Sequence, residues 1–228
     1  MAKLVLFDID GTILSAGVVF REALSAALQQ VFGTAGGLMS FDCSGKTDPQ
    51  IVRELMRQAG LEEASIDAGL PRVLAHYEAG LISLLRPAHV TAKPGAVAVI
   101  ESLAASGNAT LGLLTGNLEA CARAKLAPLD LNLHFSFGAY GSDHEDRACL
   151  AALAVKRAHA HTGRRFTGKD VVVVGDAVAD VRCGRSLGVR AVAVATGRTS
   201  AEVLAAEAPD VVLPSLADTD KALAAILG

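Results

Sequence analysis

The chain has 228 residues, of which 51% are hydrophobic, 20% charged and 4% aromatic, with a formal net charge of -3. That apolar share is ample for a packed core and excludes a disordered chain. The balanced charge (Lys+Arg 21, Asp+Glu 24) and the absence of tryptophan argue against a nucleic-acid partner, a base-stacking platform or an anionic membrane surface. No run of about 20 apolar residues exists to span a membrane. The N-terminal apolar run reaches Asp8 too early for a secretory signal. Cys43, Cys121, Cys149 and Cys183 are widely spaced and contain no CxxC pair, so reduced thiols and a cytoplasmic location are expected, not a disulfide frame or zinc site.

In chain order, residues 3–9 form a short apolar run that ends in acid and glycine, which predicts a buried strand. Residues 16–91 then carry helical patterns at 20–32, 49–60 and 70–86 with no clear strand between them, and read as a helical insertion. Lys93-Pro94-Gly95 is its predicted exit linker. From there strands are predicted at 109–114, 171–174, 189–194 and 211–213. Helices are predicted at 95–106, 118–126, 146–161, 177–187, 200–207 and 217–227. This alternation predicts an α/β fold with a parallel sheet covered on both faces.

Three segments at predicted strand ends carry chemistry. In Asp8-Ile9-Asp10-Gly11-Thr12 the two acids can point the same way, because strand side chains alternate. They suit a nucleophile and an acid/base beside a cation, although Asp-Gly is also an ordinary turn. Thr115-Gly116-Asn117 opens a helix whose free N–H groups can receive a phosphate; the alternative is an ordinary capped start with Asn117 as N-cap. In Gly175-Asp176-Ala177-Val178-Ala179-Asp180, Asp176 can ligate magnesium and Asp180 can support it, although acids at a helix start are favoured by the helix dipole alone. All three follow parallel strands and therefore converge on one sheet edge. Together they suit magnesium-assisted phosphoryl transfer to an aspartate.

With Asp-x-Asp-Gly-Thr first, Thr-Gly-Asn in the middle and Gly-Asp-x-x-x-Asp late, the chain resembles the haloacid dehalogenase superfamily, in its phosphoglycolate-phosphatase-like branch. The resemblance implies a Rossmann-like core from residues 1–15 and 92–228 and a helical cap from 16–91. It also implies a Mg²⁺-dependent phosphatase acting on a small phosphorylated metabolite, as a monomer or homodimer. Asp8 would be the nucleophile and a metal ligand. Asp10 would be the acid/base and a ligand through its carbonyl, and Asp176 would ligate the metal with Asp180 in support. Thr115 would hold the phosphoryl group, with Gly11, Thr12, Gly116 and Asn117 around the substrate. A sugar phosphomutase shares these residues and is the alternative. A haloacid dehalogenase, which lacks the second acid, and an inactive binding module fit less well.

One position departs from the pattern. The family places a lysine before the helix that precedes Gly-Asp, whereas here the stretch runs Gly141-Ser142-Asp143-His144-Glu145-Asp146-Arg147. Arg147 is the expected source of positive charge, a solvated surface position being its bland reading; Lys156 lies deeper in the same helix and is second choice. In the insertion, Gly45-Lys46-Thr47-Asp48-Pro49 offers Lys46 to neutralise a substrate anion and Thr47 to donate a hydrogen bond. The same segment reads as a helix start with Asp48 as N-cap and Pro49 at N1. The six histidines show no metal spacing beyond His159-x-His161 and read as structural or surface residues.

Overall fold

In β1 (Lys3–Phe7), Leu4, Val5, Leu6 and Phe7 are all fully buried, as a strand covered on both faces requires. The computed structural model describes residues 2–228. After β1 the chain makes β2 (Leu14–Ser15), then three helices: α1 (Val19–Phe32), α2 (Asp48–Gln58) and α3 (Glu63–Leu84). It returns through β3 (Thr91–Ala92), α4 (Ala96–Ser106), β4 (Ala109–Leu114), α5 (Glu119–Leu126), β5 (Gly138–Ala139) and α6 (Arg147–Thr162). β6 (Val171–Gly175), α7 (Val178–Ser186), β7 (Arg190–Val194), α8 (Ala201–Ala206), β8 (Val211–Leu213) and α9 (Thr219–Leu227) complete it.

The main sheet has six strands in the order β5-β4-β1-β6-β7-β8, every pair parallel. β1 lies between β4 and β6, with Phe7 opposite both Leu113 and Val174. The chain thus leaves β1 for one neighbour and later comes back on the other side. Crevices form at such a reversal, beyond the carboxyl ends of the strands. Alternation sorts the core. Val5 and Phe7 pack with α4 and α9 on one face, while Leu4 and Leu6 pack with α6 on the other. Asp8 continues that alternation toward the α6 side.

The insertion has its own apolar cluster, in which Leu24 and Leu28 of α1 meet Val52 and Leu55 of α2 and Ile66, Val73, Tyr77 and Leu81 of α3. Leu118 and Cys121 of the sheet domain join this cluster, so it is seated on the core and not held away from it. Its two stems pair as a short antiparallel ribbon, Leu14 opposite Ala92 and Ser15 opposite Thr91. Lys93, from the predicted exit linker, donates its N–H to the Ile13 carbonyl at 2.8 Å.

Two differences from the sequence reading have simple causes. α3 begins at Glu63, seven residues before the predicted start at 70, and runs through Pro71. Ile66, Val73, Tyr77 and Leu81 form a fully buried stripe at helical spacing, and burying it outweighs the bond that proline removes. β5 was not anticipated, because two residues, Gly138 and Ala139, carry no periodicity. All four cysteines are free thiols. Among the described residues no helix is long and apolar enough to cross a membrane.

Candidate active site

Asp8 is the first residue past β1 and its N–H is fixed by the Val174 carbonyl at 2.9 Å. Its carboxyl is buried. Burial pushes its pKa up to about 6; Arg147 opposes this, and the negative charges of Asp180 and Asp10 add to it. Arg147 opens α6, whose N-cap is Asp146, and its Nη2 lies 3.0 Å from Asp8 Oδ1. The same nitrogen pairs with Asp180 Oδ1 and donates to the Leu114 carbonyl at 3.2 Å. Burial pulls this guanidinium down, but Asp180 and Asp8 prevail and hold its pKa above the ordinary value. Lys156 is exposed on the same helix and takes no part in this cluster.

Asp176 follows β6. Its Oδ1 accepts a hydrogen bond from the Thr12 hydroxyl at 2.9 Å. Its pKa is pushed up to about 8, by burial first and then by Asp8 and Asp180. Gly11 has φ +91° and passes so close to this carboxyl that any side chain there would collide with it. Asp180 completes the group, its Oδ2 accepting the Ala177 N–H at 3.0 Å. Carboxylate oxygens of Asp8, Asp176 and Asp180 all lie within 4.8 Å of one another. Arg147 answers Asp8 and Asp180, whereas Asp176 has only a hydroxyl. The set therefore carries more buried negative charge than its own cation offsets, and its hard oxygen donors fit a divalent ion such as magnesium.

Asp10 sits at the mouth, its side chain 44% exposed. Asn117 does not cap α5, whose N-cap is Leu118. It instead bridges: its Nδ2 donates to Asp10 Oδ2 at 2.7 Å and to Thr115 Oγ1 at 2.8 Å. Thr115 is fully buried and also accepts the Asn117 N–H at 3.4 Å, which leaves its own proton free to donate.

Two residues here escaped the sequence reading. Lys125 is buried on α5 and its Nζ donates to Asp10 Oδ2 at 2.7 Å and Asn117 Oδ1 at 2.6 Å. Burial pulls the ammonium down, but Asp10 and Asp48 outweigh it and raise its pKa. The available signal was position: Lys125 shares the buried face of α5 with Cys121, Ala122 and Leu126, where a lysine needs a partner. The sequence pattern predicts Asp48 as the N-cap of α2, with Pro49 at N1. Thr47 holds the cap position and accepts the Gln50 N–H at 3.3 Å. Asp48, one residue into the helix, accepts the Leu118 N–H at 2.9 Å. Burial pushes its pKa up to about 7 against the pull of Lys125.

Thr47 donates its hydroxyl to the Glu145 carbonyl at 2.7 Å, so it ties the insertion to the loop before α6. Gly116 lies directly beneath the Lys46 and Thr47 backbone. The Lys46 ammonium lines the site but is bound by the Glu54 carboxylate at 2.9 Å, so its charge is already met; a substrate anion would have to compete with Glu54. Arg198, from the loop after β7, also lines the cavity and makes no ion pair among the described residues. The cavity, open to solvent on one side, has a volume of about 340 Å³, sized for a small molecule.

The haloacid dehalogenase-like hydrolase family matches residues 2–188, and the chain belongs to that family. No curated protein matches it. Among solved structures it is similar to a hydrolase from Pseudomonas syringae, 21% identical with 99% of each chain covered and a TM-score of 0.76. A predicted phosphatase from Clostridium acetobutylicum is 16% identical, covering 98% of this chain and 99% of its own, also with a TM-score of 0.76. A predicted phosphoglycolate phosphatase from Haemophilus somnus 129pt is 20% identical, with 97% of each chain covered and a TM-score of 0.70.

The contrast between the two basic residues of α6 gives a direct test. Arg147→Ala removes the one cation that touches Asp8 among the described residues and is expected to lower kcat/KM for phosphate release by about 10²-fold, the scale of one or two charge-assisted hydrogen bonds. Lys156→Ala is expected to stay close to wild type. A larger loss for Lys156→Ala in steady-state assays would reverse the assignment.

Proposed function

We propose that the protein is a Mg²⁺-dependent phosphatase that hydrolyses a small phosphomonoester through an aspartyl-phosphate on Asp8. The observation that carries this is the placement of a buried Asp8 between Arg147 and the Asp176–Asp180 pair, with the exposed Asp10 at the mouth of the same cavity. Asp8 Oδ attacks phosphorus and the bond to the leaving oxygen breaks, while Asp10 gives that oxygen a proton. Asp10 then takes a proton from water, which displaces phosphate from Asp8 and restores the free carboxylate. The Thr115 hydroxyl and the Gly116 N–H would face the phosphoryl oxygens, the Asn117 and Leu118 N–H groups being held by Thr115 and Asp48. Asp8, Asp176 and the Asp10 carbonyl would hold the metal with Asp180 in support, and the ion would neutralise charge on the transferring group.

The helices at 19–84 act in this reading as a cap that encloses the leaving group. The small cavity favours metabolites of phosphoglycolate size over polymers. The catalytic residues touch only the phosphoryl group, the leaving oxygen and the metal, so discrimination falls to the side chains around the remaining space, Arg21 and the Glu54-paired Lys46 of the insertion and Arg198 of the sheet domain.

The experiment is a panel of phosphomonoesters with Mg²⁺, phosphoglycolate and sugar phosphates included, read for both free phosphate and isomerised sugar. Free phosphate is expected. Isomer without phosphate would make the protein a mutase, and neither product would overturn the reading.

A further inference from the structure

Lys125 has no part in the chemistry described so far, yet it is among the largest fully buried side chains of the protein. Burying an ammonium is costly unless every strong partner is in place. Its partners come from three separate elements. Asp10 belongs to the loop after β1, Asn117 to the loop after β4, and the Phe20 ring of α1 lies 5.7 Å from the ammonium, within cation–π reach.

The arrangement on Asp10 is one-sided. Both Asn117 Nδ2 and Lys125 Nζ donate to Oδ2, each at 2.7 Å. Among the described residues no side-chain donor reaches Oδ1. A carboxylate this exposed would otherwise turn freely about χ2, presenting either oxygen to the cavity.

We propose that Lys125 is a positioning residue for Asp10: together with Asn117 it holds Oδ2, so that the proton for the leaving oxygen passes through Oδ1 alone. This rests on the phosphatase reading above. Lys125 touches neither the phosphoryl group nor Asp8 and Asp176, and on Asp10 it meets the carboxylate and not the carbonyl that would ligate the metal. Its loss therefore weakens protonation of the leaving oxygen and spares the attack on phosphorus. That prediction is specific, because leaving groups differ in how much they need a proton. An alkoxide needs one, and a nitrophenolate departs without it. The quantity kcat/KM reports steps up to the first phosphoryl transfer and so excludes the later activation of water.

The experiment compares Lys125→Met and Lys125→Gln with wild type on an alkyl phosphate from the panel, phosphoglycolate or glucose 6-phosphate, and on 4-nitrophenyl phosphate. For Lys125→Met, kcat/KM on the alkyl phosphate is expected to fall about 10²-fold, the lower bound for losing general-acid catalysis. The fall on 4-nitrophenyl phosphate is expected to be at least tenfold smaller. Lys125→Gln keeps a donor and is expected to recover part of the difference. The ratio between substrates does not depend on how much of a variant is folded, so a destabilised preparation still decides the matter. If Lys125→Met yields no folded protein, the ratio for Lys125→Gln stands in its place. Equal losses on both substrates would overturn the role and leave Lys125 a structural cation. Wild type that releases phosphate from neither substrate would overturn the phosphatase reading and this role with it.

Discussion

Asp8→Asn is expected to lower phosphate release by at least about 10⁴-fold, the scale seen when a nucleophile is removed from an otherwise intact site. An amide is a poor nucleophile, and it also brings no charge to a metal. The loss should come without unfolding. Burial raises the Asp8 pKa to about 6, so the ionised form that prevails at pH 8 costs the metal-free fold stability relative to the unfolded chain. An isosteric neutral side chain removes that penalty, and Arg147 keeps Asp180 as its partner. The metal-free variant is therefore expected to melt no lower than wild type by circular dichroism at pH 8. Turnover near the wild-type rate would show that another group attacks phosphorus.

Exhaustive chelation is expected to abolish turnover, and the metal-free protein is expected to lose stability as pH rises from 5 to 9. The direction follows from the carboxyls. Asp8, Asp48 and Asp176 have pKa values raised to about 6, about 7 and about 8, against an ordinary value of 3.8. Between those limits the folded chain holds protons that the unfolded chain has released, so stability falls with rising pH through that window. Mg²⁺ held as proposed would bind the ionised forms of Asp8 and Asp176, so the increase in Tm that it gives should be larger at pH 8.5 than at pH 5.5. Undiminished phosphate release after chelation would contradict the metal assignment. A Mg²⁺ effect on Tm that does not grow with pH would contradict the role of the raised carboxyls.

What the sequence made legible here is what local pattern encodes. The runs ending at Asp8, Thr115 and Asp176 announced buried strands, and parallel strands bring their ends together whatever else the chain does. Arg147 could be placed because it is the basic residue nearest the start of its helix. The residues that escaped depend on contacts between distant segments. Lys125 reaches Asp10 across 115 residues of chain, and Asp48 reaches Leu118 across 70. Asn117 and Asp48 both read as caps because they stand where a cap often stands. In each case the true cap is an immediate neighbour, Leu118 after one and Thr47 before the other, and the polar side chain is turned to a partner outside its own helix. The early start of α3 depends on distant contacts in the same way: the cost of Pro71 is local, and the stripe that outweighs it is buried only with α1 alongside.

The contacts of Thr47 and Asp48 bear on how this insertion can be inherited. The Asp48 N–H is bound by the Gly116 carbonyl at 2.8 Å, its carboxyl holds Leu118, and Thr47 holds Glu145. Two consecutive residues of the insertion thus complete the hydrogen bonding of loops that belong to the sheet domain. Lengthening Gly116 or Gly141 by a single carbon would drive into this seam, since the Lys46 carbonyl covers the first and the Gly116 carbonyl the second. The insertion is therefore not an interchangeable module. A chimera that grafted a foreign set of helices between the stems at 14–15 and 91–92 would carry its own substrate pocket but leave the sheet domain's loops without their partners. Recombination within the family can succeed at this junction only where the Thr47–Asp48 pair travels with loops shaped to receive it.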